Sequence, residues 1–200
     1  MDRYLIFLDI DGTIFDGQKV SDRVKKAIGD ARKKGHKVFI NTGRSYGNIP
    51  DDIKSVEVDG FVSGLGTTVM YAGKVIRSCT MEKERAKELA SYLLERKLRS
   101  CFECEDGSVF MNEDSERVLK EPGELDGRFS DVRISKFTVF DEIDGEDIKF
   151  FERNFTVFRY KNYSEGVKKG YSKAKGMEIA GNFLGVGRDN MMAIGDSMND

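Results

Sequence analysis

The 200-residue sequence predicts an α/β fold, with a parallel-sheet core interrupted by an α+β insertion. Three observations predict it. Tyr4 to Leu8 is an apolar run without periodicity, as in a strand buried on both faces. A helix pattern and a second apolar run follow at once, which makes a βαβ unit with parallel strands and a right-handed crossover. The middle of the chain carries one long helix pattern and several hairpin-like strands, and the strand and helix alternation returns only at Ser172.

The elements follow in order. Ser21 is expected to N-cap a helix whose Val24, Ala27, Ile28 and Ala31 recur at helical spacing, with Gly35 at its end. Lys37 to Ile40 reads as the second buried strand and Phe61 to Ser63 as the third. A hairpin is expected over Thr68 to Tyr71 and Lys74 to Arg77, turned at Ala72-Gly73. From Thr80 the character changes. Met81 to Leu98 reads as a long helix, followed by strands near 100–105, 108–112, 134–140 and 155–161. Nine of the fourteen phenylalanines fall between Phe102 and Phe158, enough to build a separate core for this insertion. Met177, Ala180 and Leu184 then mark a helix that Gly185 can end, and Met191 to Ile194 is a further strand.

Composition narrows the function. Hydrophobic residues make up 39% of the chain and charged ones 34%, which suits a globular protein with a core. The net charge is −2 with both signs spread along the chain, so no basic face for nucleic acid stands out. The apolar run near the N-terminus is too short for a membrane span or a signal sequence, and a cytoplasmic location with no membrane partner is expected. Three cysteines form an odd count, as for reduced thiols. Cys101 and Cys104 fit C-x-x-C, but no second Cys or His pair completes a zinc site, so strand packing is the expected role.

Chemistry collects at strand ends. The first strand stops at Asp9-Ile10-Asp11-Gly12-Thr13, which places two carboxylates on one side of an extended backbone. Solvated acids capping a strand would fit that stretch alone. Like charges so close need a cation, a proton or an opposite charge between them. The second strand ends in Asn41-Thr42-Gly43-Arg44, which offers a hydroxyl, a close-approach N–H and a guanidinium. The last ends in Asp196, Asn199 and Asp200. In an open parallel sheet ligands bind outside the carboxyl ends of the strands, so these groups are expected to converge. Hard oxygen ligands there suit Mg²⁺, which shares its coordination with phosphate oxygens. Lys173 sits at a predicted helix N-terminus, where a cation is unfavourable unless an anion lies beside it.

These four stretches, Asp9 to Thr13, Thr42 to Arg44, Ser172 to Ala174 and Gly195 to Asp200, resemble the four motifs of the haloacid dehalogenase-like phosphohydrolases. With the insertion between the second and third motifs, the resemblance is to the Cof-type, class IIB-cap sugar phosphatases. It implies a Rossmann-like catalytic core over residues 1–79 and 168–200 and an α+β cap over 80–167. It implies Asp9 as the nucleophile that becomes an aspartyl phosphate, and Asp11 as the general acid and base. It implies Mg²⁺ held by Asp9, the Asp11 carbonyl and Asp196, with Asn199 and Asp200 supporting. Thr42, Gly43, Arg44 and Lys173 would bind the phosphoryl oxygens. Lys169 and Lys175 lack the flanking Ser and Ala that single out Lys173.

The function so implied is Mg²⁺-dependent hydrolysis of a small phosphorylated metabolite, a sugar phosphate first. Alternatives are a phosphomutase of the same superfamily and a non-catalytic phospholigand-binding module. The family normally continues past its fourth motif, whereas this sequence stops at Asp200. The strand before that motif is therefore expected at a sheet edge, and the motif itself at a fraying end. Ser63-Gly64-Leu65-Gly66 stands where the family often carries Asn-Gly, and no substrate role is assigned to it.

Overall fold

A computed structural model describes residues 3–197. Its strands are β1 (Leu5–Leu8), β2 (Lys37–Asn41), β3 (Gly60–Ser63), β4 (Thr68–Tyr71), β5 (Lys74–Ser78), β6 (Ser100–Cys104), β7 (Gly107–Met111), β8 (Ile134–Val139), β9 (Phe155–Arg159), β10 (Ser164–Lys168) and β11 (Met191–Ile194). The helices are α1 (Asp22–Lys33), α2 (Asp51–Lys54), α3 (Lys83–Glu95), α4 (Gly145–Asn154) and α5 (Lys173–Leu184). The chain divides into two compact units. One holds the chain up to Arg44, Ile49–Ser78 and the chain from Tyr171; the other holds Ser45–Asn48 and Cys79–Gly170.

The first unit is built on a six-stranded sheet in the order β11-β1-β2-β3-β4-β5. β1 lies between β11 and β2, and both of these neighbours run parallel to it. Leu5 pairs with Met191 on one side and Lys37 on the other, and Leu8 with Ile194 and Ile40. β3 continues the parallel set, with Asn41 opposite Val62. This register brings the carboxyl ends of β11, β1, β2 and β3 to one edge, the place where an open parallel sheet binds ligands. β4 and β5 close the other end as the expected hairpin.

Phe7, Phe39, Val62 and Val69 project from the sheet against Ala180, Met177 and Leu184 of α5. That is the apolar face read from the sequence, and Gly185 ends α5 in the left-handed region at φ 67°. α1 starts at the Ser21 cap, whose Oγ accepts from the Val24 N–H at 3.3 Å. Only Ile28 of its expected stripe is fully buried, and Ala27 lies exposed. β11 lies at the sheet edge, as expected, with Met192 and Ile194 exposed.

The second unit is a five-stranded antiparallel sheet in the order β7-β6-β8-β10-β9. Phe102, Val109, Phe137 and Val139 pack from it onto Leu89 and Leu93 of α3 and Phe151 of α4. Five of the insertion's phenylalanines (Phe102, Phe129, Phe137, Phe151, Phe155) are buried in this core. The opposite face of the sheet buries Glu103, Lys136, Thr138 and Glu165. Lys136 donates to both Glu103, at 3.0 Å, and Glu165. Glu103 also holds residues 45–48 to this unit, accepting from the Ser45 N–H at 3.3 Å and Asn48 Nδ2 at 3.1 Å.

Several boundaries and three elements, α2, α4 and β10, differ from the sequence reading. The helix expected over Met81 to Leu98 is shorter, because Lys97 turns left-handed at φ 55° and the Leu98 N–H closes onto the Leu93 carbonyl. The strand expected to Lys161 ends at Arg159. The sequence reading has no counterpart of α2, α4 or β10. β10 hid because its sequence, Ser-Glu-Gly-Val-Lys, buries a charged residue and a glycine where a strand pattern calls for apolar ones. Gly166 lies beneath the Phe137 ring, which a Cβ would meet at 2.2 Å.

Candidate active site at the carboxyl edge of the first sheet

Asp9 follows β1 directly, and its N–H donates to the Ile194 carbonyl at 2.9 Å, which extends the β11 pairing by one residue. Its side chain is buried, and Oδ1 accepts from Lys173 Nζ at 2.7 Å. Lys173 is the first residue of α5 and is itself 3% exposed. Ser172 caps the helix by accepting the Lys175 N–H on Oγ at 3.1 Å. The cation that the helix dipole disfavours at this end is thus offset by the nucleophile candidate. A buried ion pair costs desolvation on both sides, so it marks a place where charge is needed rather than a source of stability.

The chain turns sharply after Asp9. The N–H groups of Thr13, Ile14 and Phe15 all donate to the Ile10 carbonyl. Gly12 sits at φ 78°, and a Cβ there would meet Asp196 Oδ2 at 2.2 Å. Only glycine fits, both for the backbone and for the carboxylate packed on it. Asp196 is thereby placed beside the β1 turn, as the β1–β11 register requires. Asp11 points out into solvent, where Arg44 grips it with a two-point fork. Nε donates to Oδ2 and a terminal nitrogen to Oδ1, each at 2.8 Å.

Thr42 is buried at the end of β2, its N–H donating to the Val62 carbonyl at 2.9 Å. Its Oγ1 accepts from the Arg44 N–H at 3.1 Å, which curls the Thr42-Gly43-Arg44 turn onto itself. The loop after β3 locks this turn in place. The Gly64 N–H donates to the Arg44 carbonyl at 2.7 Å and the Leu65 N–H to the Thr42 carbonyl at 3.3 Å. Gly66, at φ 85°, lies so close to α5 that a Cβ would meet the Ser172 carbonyl oxygen at 2.0 Å. Residues 63–67 therefore join the threonine turn to the start of the lysine helix. The sequence reading gave this loop no role. Its signal was the Gly-Leu-Gly spacing, since Gly64 and Gly66 both adopt positive φ.

The sequence-predicted residues Asp9, Asp11, Thr42, Gly43, Arg44, Lys173 and Asp196 all belong to this one sheet edge. Asn199 and Asp200 lie outside the described residues. Among the described residues no three His, Cys, Asp or Glu side chains form a metal-binding group. The hard oxygens at this edge that could hold Mg²⁺ are the Asp9 and Asp196 carboxylates and the Asp11 carbonyl, and Gly12 leaves room for the Asp196 carboxylate beside the turn. Thr13 Oγ1, Asn41 Oδ1 and Ser63 Oγ are buried without a partner among the described residues. Cys101 and Cys104 are free and buried, with no part in this edge.

A model of the haloacid dehalogenase-like hydrolase family matches residues 6–200. The chain is 27% identical over 210 residues to the Bacillus subtilis protein named "Putative phosphatase YkrA", covering 100% of this chain and 82% of that one. Among solved structures, the phosphatase BT1666 from Bacteroides thetaiotaomicron superposes with a TM-score of 0.82 at 21% identity, over 99% of this chain and 79% of that one. The subclass IIB sugar phosphatase BT4131 gives a TM-score of 0.77 at 22% identity, over 98% and 82%.

Proposed function

This chain belongs to the haloacid dehalogenase-like hydrolases, and we propose that it hydrolyses a small phosphomonoester, foremost a sugar phosphate, through a phosphorylated Asp9. The observation that carries the proposal is the buried Asp9–Lys173 pair at the edge where Asp11, Thr42 and Asp196 also gather. The sugar phosphatase among the similar structures supports the substrate class.

Asp9 attacks phosphorus with a carboxylate oxygen, and the bond from phosphorus to the leaving oxygen breaks as the new O–P bond forms. Asp11, two residues on and facing solvent, gives its proton to the leaving alcohol. It then takes a proton from a water, which attacks phosphorus, breaks the Asp9–O–P link and frees inorganic phosphate. Lys173, the Thr42 hydroxyl and the Gly43 N–H face the phosphoryl oxygens as charge shifts onto them. Asp9, the Asp11 carbonyl and Asp196 would hold Mg²⁺, with Asn199 and Asp200 supporting from outside the described residues. Bound there, Mg²⁺ supplies positive charge that offsets the repulsion between the carboxylate and the anionic substrate. The second compact unit serves as the cap that selects the leaving group.

The test is phosphate release from a panel of sugar phosphates and simple alkyl phosphates, with Mg²⁺ and with chelator. Turnover confined to the Mg²⁺ arm and ranked by the leaving group supports the reading. Failure on every member of the panel removes it.

A further inference from the structure

Arg44 belongs to the stretch that the family resemblance assigns to phosphate, yet its guanidinium is engaged elsewhere. Both carboxylate oxygens of Asp11 accept from it at 2.8 Å in the two-point geometry that fixes a carboxylate's plane as well as its distance. Asp11 needs such a restraint. Its side chain is 53% exposed, so in the absence of a partner it would be free to sample several rotamers. Arg44 is suited to impose one. Its N–H is held by Thr42 Oγ1 and its carbonyl by the Gly64 N–H, so both sides of its backbone are tied to the buried turn.

Resting on the phosphatase reading above, we infer that Arg44 is a positioning residue for Asp11: the fork holds the ionised carboxylate, and when Asp11 carries the proton one oxygen still accepts from the guanidinium while the other gives its proton to the leaving oxygen. Oriented proton donors contribute in proportion to how badly the leaving group needs the proton. An alkoxide needs it; p-nitrophenolate leaves without it. A residue that binds phosphoryl oxygens treats both substrates alike, because the phosphoryl group is the same. Lysine separates the two roles further. It keeps the positive charge that a phosphate would use but cannot form the fork.

The experiment compares kcat/KM for a simple alkyl phosphate and for p-nitrophenyl phosphate in wild type, Arg44→Ala, Arg44→Lys and Asp11→Asn. Inhibition by inorganic phosphate is measured on each. The inference expects Arg44→Ala to lose at least about tenfold more activity on the alkyl substrate than on the nitrophenyl one, on the scale of general-acid contributions. Arg44→Lys should show the same split, in the direction that Asp11→Asn defines, with phosphate inhibition shifted less than about twofold, well short of losing a charge-assisted hydrogen bond. Equal losses on both substrates with weakened phosphate inhibition would overturn it, as would rescue of the split by lysine or no loss at all. Wild-type silence on both substrates is a separate result. It would remove the phosphatase reading, and this inference with it.

Discussion

Asp9 and Lys173, 164 residues apart in sequence, form a buried ion pair 2.7 Å long between the end of β1 and the first residue of α5. The pair joins the first of the chain's motifs to the third across the whole insertion. It holds the buried Asp9 carboxylate in one orientation.

Breaking this pair from one side should be costly. Lys173→Met leaves the Asp9 carboxylate buried opposite a methyl group, and the expected loss is about 3–5 kcal/mol. Asp9→Asn leaves the ammonium with a neutral partner and should cost less. The double variant should be more stable than the sum of the singles implies, because each charge is costly only without the other. Urea unfolding of the four proteins measures this coupling.

Gly66 and Gly73 both have positive φ, at 85° and 75°, but their surroundings differ. An alanine at 73 meets nothing within 4 Å and should cost only the left-handed strain, about 1–2 kcal/mol. An alanine at 66 also drives into the Ser172 carbonyl, which is backbone and cannot rotate away. Gly66→Ala should therefore cost about 3 kcal/mol or more and displace the Lys173 helix end. Thermal melts rank the two; near-equal shifts would contradict the close packing of loop 63–67.

Lys136 in the second unit predicts a change of sign with pH. Burial pushes the Glu103 carboxyl up, but the Lys136 ammonium, its hydrogen bond and those from Thr138 and the Ser45 N–H outweigh it and hold Glu103 below the usual glutamate range. Burial likewise pushes Lys136 down, and the two carboxylates more than restore it, to above the usual lysine range. A carboxyl with a depressed folded pKa stabilises above its unfolded pKa and loses that contribution as pH falls through the folded one. Wild type should thus lose stability on acidification below about pH 4.5, the Glu103 reference value. Lys136→Met leaves the buried Glu103 without its ammonium partner, so protonation of Glu103 relieves a buried charge and the variant should gain relative stability over the same descent. Denaturant unfolding at several pH values reads the slopes. Parallel slopes would contradict the ion cluster.

The C-x-x-C pair should be chemically silent. Burial pushes the Cys101 thiol up to about 12 and raises Cys104 further still. Thiol labelling of the native protein near neutral pH should modify Cys79, which is partly exposed, well before the other two. Rapid labelling of three thiols per native chain would contradict it.

Much of this structure was legible because the first unit obeys simple patterns. Unbroken apolar runs marked β1, β2 and β11, and each ends in the polar residues that gather at the edge. Parallel register converts that list of strand ends into a place, which is why Asp9, Thr42 and Asp196 could be grouped from sequence. The fork of Arg44 on Asp11 was not legible. Side-chain pairing across a turn depends on rotamers, and the stretch Thr-Gly-Arg fits a phosphate contact equally well. The polar face of the second sheet was hidden for another reason. Glu103 and Lys136 stand at the polar positions of an alternating pattern, which reads as a solvated face, yet with Glu165 they are buried and satisfy one another instead of water. α4 escaped for want of a clear apolar stripe, although its Asp144 cap, accepting from the Glu146 and Asp147 N–H groups, is a readable start signal.

If Asp9 is the group that takes the phosphoryl, phosphate release from a sugar phosphate should separate wild type from Asp9→Asn, each in Mg²⁺ and each shown folded by its melting curve. Wild type should release phosphate, and Asp9→Asn should lose at least about 10³-fold, on the scale of removing a nucleophile. Comparable release by the folded Asp9→Asn protein would contradict it.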